Sequence, residues 1–319
     1  MNRLRSTFLV VGALFSMTPA ILADSAQVAE RAGIIRQGVS GTTYSQELPE
    51  LFRGQGTAFF KTFVAFTNNT NSNGVTASYQ FSYTCISTAC SPAGGFYRTA
   101  VQTITLPALG SFVQDDFIDY LNTQGLLQPG ANQGALGTLL VTFANLPSSN
   151  GWEANVVART YNRIVEADPT QGTVGFAFNA SEFFDSADTT LVGYGHNTEL
   201  APTAAGKVRT NIGVRNTDIN GTNQNMTVVI TCYDTATGAK VGSPITFADL
   251  KPGEVRQQNL WGAAAIPTTV TNVIIFADAQ NPTATSPTME GYVTLIDGQN
   301  TQDAALFTLL CGDANGCGN

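Results

Sequence analysis

The sequence predicts an all-β chain of two similar halves, each a β-sandwich with one short connecting helix. Three observations predict it. Apolar residues alternate at period two in short runs bounded by turn residues, as strands with one buried face must. Charged residues are 12% of the 319, and polarity comes instead from Asn, Thr, Ser, Gln and 31 glycines, a composition of short strands and many turns. The third is a strand written twice: Lys207 to Asn216 reads KVRTNIGVRN and Phe59 to Asn68 reads FFKTFVAFTN. Val208, Thr210, Ile212 and Val214 fall on Phe60, Thr62, Val64 and Phe66, and both runs then enter a polar turn.

In chain order, residues 1–23 read as a secretory signal peptide. Arg3 and Arg5 precede an apolar run from Phe8 to Met17, and Thr18 to Ala23 supplies a break and small residues, with cleavage expected after Ala23. The run is shorter than the roughly 18 apolar residues that span a bilayer, so no membrane insertion is expected after cleavage. Without Arg3 and Arg5 the chain keeps 13 basic residues against 23 acidic ones. An acidic protein with no Lys/Arg cluster lacks the footprint for nucleic acid or an anionic membrane, and neither is expected as a partner.

Residues 24–54 read as an N-terminal arm, either loose or supplying a strand to the sheet edge of another subunit. Residues 55–198 form the first expected domain. Its strands are Phe59–Thr67, Val75–Ile86, Val101–Leu106, Gly110–Gln114, Gly137–Ala144, Glu153–Asn162 and Thr173–Asn179. Apolar Phe117, Ile118 and Leu121 at helical spacing predict a short helix within Asp115–Gln124. Asn179 to Gly206 reads as a connector, with one more strand at Thr190–Tyr194.

Residues 199–311 form the second expected domain and repeat the series in order. Ile245–Phe247 and Gly253–Gln257 match the strands around Gly110, and Asn259–Ala265 matches the helix. Val270–Asp278, Glu290–Asp297 and Ala304–Leu310 match the closing strands. Short strands at regular spacing with turns between them predict a sandwich in each half. Residues 312–319 are a Gly-rich tail.

Five cysteines suit an oxidising compartment. Tyr79, Phe81, Tyr83 and Cys85 alternate as Met226, Val228, Ile230 and Cys232 do, so Cys85 and Cys232 should hold the same inward site in the two halves. The disulfide candidates are Cys85 with Cys90 and Cys311 with Cys317, which leaves Cys232 as a buried thiol; pairing of Cys232 with Cys311 competes. No second Cys pair or partnering His supplies a tetrahedral metal site, and no metal or cofactor is expected.

Few residues carry chemistry. His196 is the one histidine, and no nucleophile motif accompanies it. Asp115, Asp116 and Asp119 form the densest carboxylate group, with Glu166 and Asp168 a second pair, and such pairs can serve glycoside hydrolysis or bind Ca²⁺. The alternative is that Asp115 or Asp116 caps the short helix, as the matching Gln257-Gln258-Asn259 could cap but could not do acid-base chemistry. Asp313 and Asn315 faintly echo a Ca²⁺ loop that lacks its distal carboxylate. Arg159, Tyr161 and Arg163 alternate along one strand, a face that could stack on a sugar or meet an acidic partner.

RTNIGVRNT, the Leu-x-Pro-Gly turn at Leu250 to Gly253, the short helix and the closing GYVTLIDGQNTQDAALF together resemble the tandem immunoglobulin-like β-sandwich modules of secreted bacterial proteins. The resemblance covers about Gln55 to Cys311. It implies an extracellular setting and brings no catalytic residues. The reading is therefore a secreted, non-enzymatic structural or adhesive protein of the cell surface or extracellular matrix, contacting itself or another surface protein. The alternative is an extracellular carbohydrate-binding protein that takes glycans on the Arg159 to Arg163 face.

Overall fold

The structure is a computed structural model that describes residues 42–55, 59–72, 74–147, 153–163, 173–179, 181–182, 190–198, 208–217, 224–280, 289–297, 304–308 and 310–311. The signal peptide, residues 24–41, Glu166, Asp168, Cys317 and the tail lie outside them. The described chain is all-β, with short helices only.

The first half contains β1 (Thr42–Gln55), β2 (Phe59–Asn68), β3 (Val75–Cys85), β4 (Phe96–Arg98), β5 (Gln102–Leu106), β6 (Ser111–Gln114), β7 (Gly134–Leu146), β8 (Ala154–Arg163), β9 (Thr173–Asn179) and β10 (Ser181–Glu182). The helix α1 (Phe117–Thr123) follows β6. β3 pairs with β5 and β7, β7 with β1, and β1 with β10, which makes sheet 1. Sheet 2 runs β6-β2-β8-β9. Among the described residues, the two join where Gly54 and Gln55 at the end of β1 meet Phe60 and Phe59.

The second half contains β11 (Thr190–His196), β12 (Val208–Asn216), β13 (Met226–Asp234), β14 (Lys240–Leu250), β15 (Val255–Asn259), α2 (Leu260–Ala264), β16 (Asn272–Ala279), β17 (Met289–Asp297), β18 (Ala304–Thr308) and β19 (Leu310–Cys311). Sheet 3 runs β14-β13-β16-β11-β19 and sheet 4 runs β15-β12-β17-β18. Strand for strand, these orders follow those of sheets 1 and 2.

Alternation explains each core. Leu48, Leu51, Val64, Phe66, Tyr79, Phe81, Leu139 and Val141 fill the space between sheets 1 and 2. Ile212, Val214, Val228, Ile230, Val273, Ile275 and Val293 do so between sheets 3 and 4. Each helix closes one end of its core, burying Phe117, Ile118 and Leu121 in α1 and Leu260, Trp261 and Ala264 in α2. Asp116 caps α1 by accepting from the Asp119 N–H, and Asn259 caps α2 by accepting from the Gly262 N–H at 2.8 Å.

Two expected boundaries are corrected. The arm of residues 24–54 is not an arm from Thr42 onward: β1 is a 14-residue strand held against β7, with Leu48 and Leu51 fully buried. Pro49 sits where the β1–β7 register shifts, between Leu48 and Leu51, and the bulge there admits a residue with no N–H. The second half likewise begins before residue 199, because β11 pairs along its length with β16. β11 is thus a sheet strand and no part of a connector.

Candidate functional site

β7 is buried along both faces, and this leads to the site. Its inward residues, Leu139, Val141 and Phe143, belong to the first core, yet Leu136, Thr138 and Leu140 on the opposite face are buried too. A strand can be buried on both faces only if a second layer covers the sheet. That layer is sheet 4. Leu136 and Phe52 pack with Val255 and Tyr292, Thr138 Oγ1 donates to the Gly253 carbonyl at 3.5 Å, and the Arg98 guanidinium donates to the Pro252 carbonyl. The layers therefore run sheet 2, sheet 1, sheet 4, sheet 3.

Charge is concentrated at this junction. Arg215 on β12 is 2% exposed and forms an ion pair with Glu47 of β1, itself 1% exposed, and with Glu290 of β17 at 3.2 Å. Glu47, Gln80, Ser82, Arg98, Thr138, Leu140 and Arg215 line a small cavity there. Burial pushes the Glu47 carboxyl above the usual range against the pull of Arg215, and Glu290 adds to the rise. Glu50 is pushed up to about 8 by burial, offset in part by the Tyr292 hydroxyl beside it. Burial and the Glu50 carboxylate in turn hold the Tyr292 hydroxyl well above its ordinary value. Arg98 is lowered by burial and then by Arg215. Tyr292 lies across its cross-strand neighbour Gly213, where an added Cβ would meet the ring at 2.2 Å.

The sequence-predicted site residues fall elsewhere. Asp116 takes both a helix cap and Arg53, whose Nε donates to its oxygens at 3.0 and 2.8 Å. Asp115 accepts from Lys61 Nζ at 3.0 Å and from the Tyr161 hydroxyl at 2.5 Å. Asp119 lies 3.5 Å from Arg53. These carboxylates hold α1 against β1, β2 and β8.

Arg159 and Tyr161 do share the outer face of sheet 2, but Tyr161 is 5% exposed, with the Arg159 and Lys61 cations 5.4 and 5.3 Å from its ring centre. The ring offers no open platform for a sugar, because cations and a carboxylate already surround it. Arg163 ends the same strand. His196 Nδ1 is 2.6 Å from Asn272 Oδ1 at the end of the β11–β16 pair.

Cys85 and Cys90 are joined by a disulfide, and Cys232 is a buried thiol pushed up to about 12 by burial. Sequence reasoning missed Glu47, Glu50 and Arg215. The signal available was Arg215 inside the alternating IGVRN run and two glutamates among the apolar residues of ELPELF.

The outer face of sheet 3 is different. Tyr194 and Ile274, cross-strand partners, are 48% and 40% exposed, and Tyr233 stands on the other side of Ile274. No helix among the described residues is long and apolar enough to cross a membrane.

No known family matches the chain, and no curated protein matches it. Among solved structures, the chain is similar to a protein of Parabacteroides distasonis designated as secreted, at 9% identity over 82% of each chain, with a TM-score of 0.21.

Proposed function

We propose that the chain is a secreted structural or adhesive protein of the cell surface or extracellular matrix, built as two tandem immunoglobulin-like sandwiches and acting through protein–protein contacts without catalysis. One observation carries this reading. Among the described residues, the charged groups that could do chemistry are engaged in holding layers and helix ends together, whereas an apolar sheet face, around Tyr194 and Ile274, faces outward. A groups-for-structure arrangement suits a scaffold, and an exposed apolar face suits a contact surface. The signal-like residues 1–23 and the Cys85–Cys90 disulfide support an oxidising, extracellular setting.

The test has two arms. Expressed with its own N-terminus in a bacterial host, the chain should leave the cytoplasm and lose residues 1–23, as read by intact mass. The purified chain should gain molar mass with concentration in light scattering, or bind producing cells, and should stay silent on immobilised glycans. Glycan binding by a chain that stays monomeric and ignores cells would overturn the reading in favour of carbohydrate recognition.

A further inference from the structure

We infer that copies of this chain stack head to tail, the outer face of sheet 3 on one copy docking onto the outer face of sheet 2 on the next. This deepens the protein-contact reading above and rests on its view of the halves as tandem repeats.

The geometry comes from the contact inside the chain. Within one molecule, the outer face of sheet 1 is covered by the outer face of sheet 4. Sheet 3 corresponds to sheet 1 and sheet 2 to sheet 4, since their strands pair in the same order. The same docking between molecules therefore sets sheet 3 against a neighbour's sheet 2. Such an interface is heterologous, and it propagates as an open chain unless its rotation closes a ring.

The side chains support the match. Aligning Cys85 with Cys232 places Leu136 on Phe276 and Phe52 on Val192, through the pairs Cys85–Ala135 and Phe52–Leu136 in sheet 1 and Cys232–Ile275 and Val192–Phe276 in sheet 3. Leu136 and Phe52 are the apolar centre of the internal contact. Their counterparts are also apolar, and here they lie on the outward face. On the receiving side, Gly213 and Tyr292 of sheet 4 correspond to Ala65 and Val157 of sheet 2, which form a row with Val113, 49% exposed.

The test uses the chain freed of residues 1–23 in sedimentation velocity, with two variants at exposed positions. Ile274→Arg puts a cation on the sheet 3 face and Val113→Arg puts one on the sheet 2 face, so the two altered faces repel each other. The unaltered chain should form a concentration-dependent series of oligomers. Each variant alone should stay monomeric, with self-affinity weakened at least tenfold, and circular dichroism should confirm that each is folded.

An equimolar mixture should form dimers and stop there, because only one intact sheet 3 and one intact sheet 2 can meet. Oligomers indifferent to both variants would overturn the stacking while leaving protein-contact function standing. An unaltered chain that stays monomeric, or variants that fail to complement, would overturn it as well.

Discussion

At the scale of single residues, Asn68 and Asn216 do the same work in the two halves. Asn68 Nδ2 donates to the Ser72 and Pro107 carbonyls, both at 2.9 Å, and Asn216 Nδ2 donates to Gln224 and Leu250 at 3.0 and 2.9 Å. Each is buried and ties the end of a strand to two turns. Removing the amide leaves carbonyls without that donor, so Asn216→Ala should cost about 2–3 kcal/mol in urea denaturation, and Asn68→Ala a similar amount. Retained stability in both would mean that the turns hold without them. The two asparagines are visible in the repeated strand as its shared last residue. Their partners are not, because those carbonyls sit up to 39 residues away in sequence. Cys232 offers a second check at this scale: with its thiol buried and raised to about 12, it should react with a thiol reagent at pH 8 only after denaturant is added.

At the scale of elements, the sequence carries those strands whose two faces meet different surroundings. β9 spans the expected Thr173–Asn179, and α1 lies within the expected Asp115–Gln124. β1 was hidden because Glu47, Pro49 and Glu50 interrupt its alternation. Those residues make sense only against the layer that covers them. β7 held a clue in Leu139-Leu140-Val141, consecutive apolar residues that a strand with one wet face would not carry. The aspartates before α1 were legible as caps, whereas their pairing with Arg53 and Lys61 needed the fold. Asp116→Ala should therefore cost about 1–2 kcal/mol, and Asp116→Asn should recover the cap portion while losing the ion pair. Equal losses in the two variants would assign the whole effect to Arg53.

At the scale of the whole molecule, stability at the junction between halves depends on pH. Glu50 has its folded value raised from 4.5 to about 8 by burial, and Glu47 is raised in the same sense. A raised carboxyl favours the folded state below its unfolded value, and that advantage is lost as pH climbs through the folded value. Docking should thus tighten on acidification from pH 8 to pH 5. In Glu50→Gln the slope should flatten, as measured by urea midpoints across that window. An unchanged slope in Glu50→Gln would remove Glu50 from the explanation.

The two halves meet through the outer faces of sheets 1 and 4, and the ion pair of Glu47 and Arg215 crosses that junction. A double-mutant cycle of Glu47→Gln and Arg215→Met, followed by chemical denaturation, tests it directly. Arg215→Met strands the buried Glu47 carboxyl and should cost about 3–5 kcal/mol, whereas Glu47→Gln leaves Arg215 paired with Glu290 and should cost less. The double variant should be more stable than the sum of the two losses implies, with a coupling above about 1 kcal/mol. Additivity within about 0.5 kcal/mol would mean that the two residues do not meet, and would contradict the stacked arrangement.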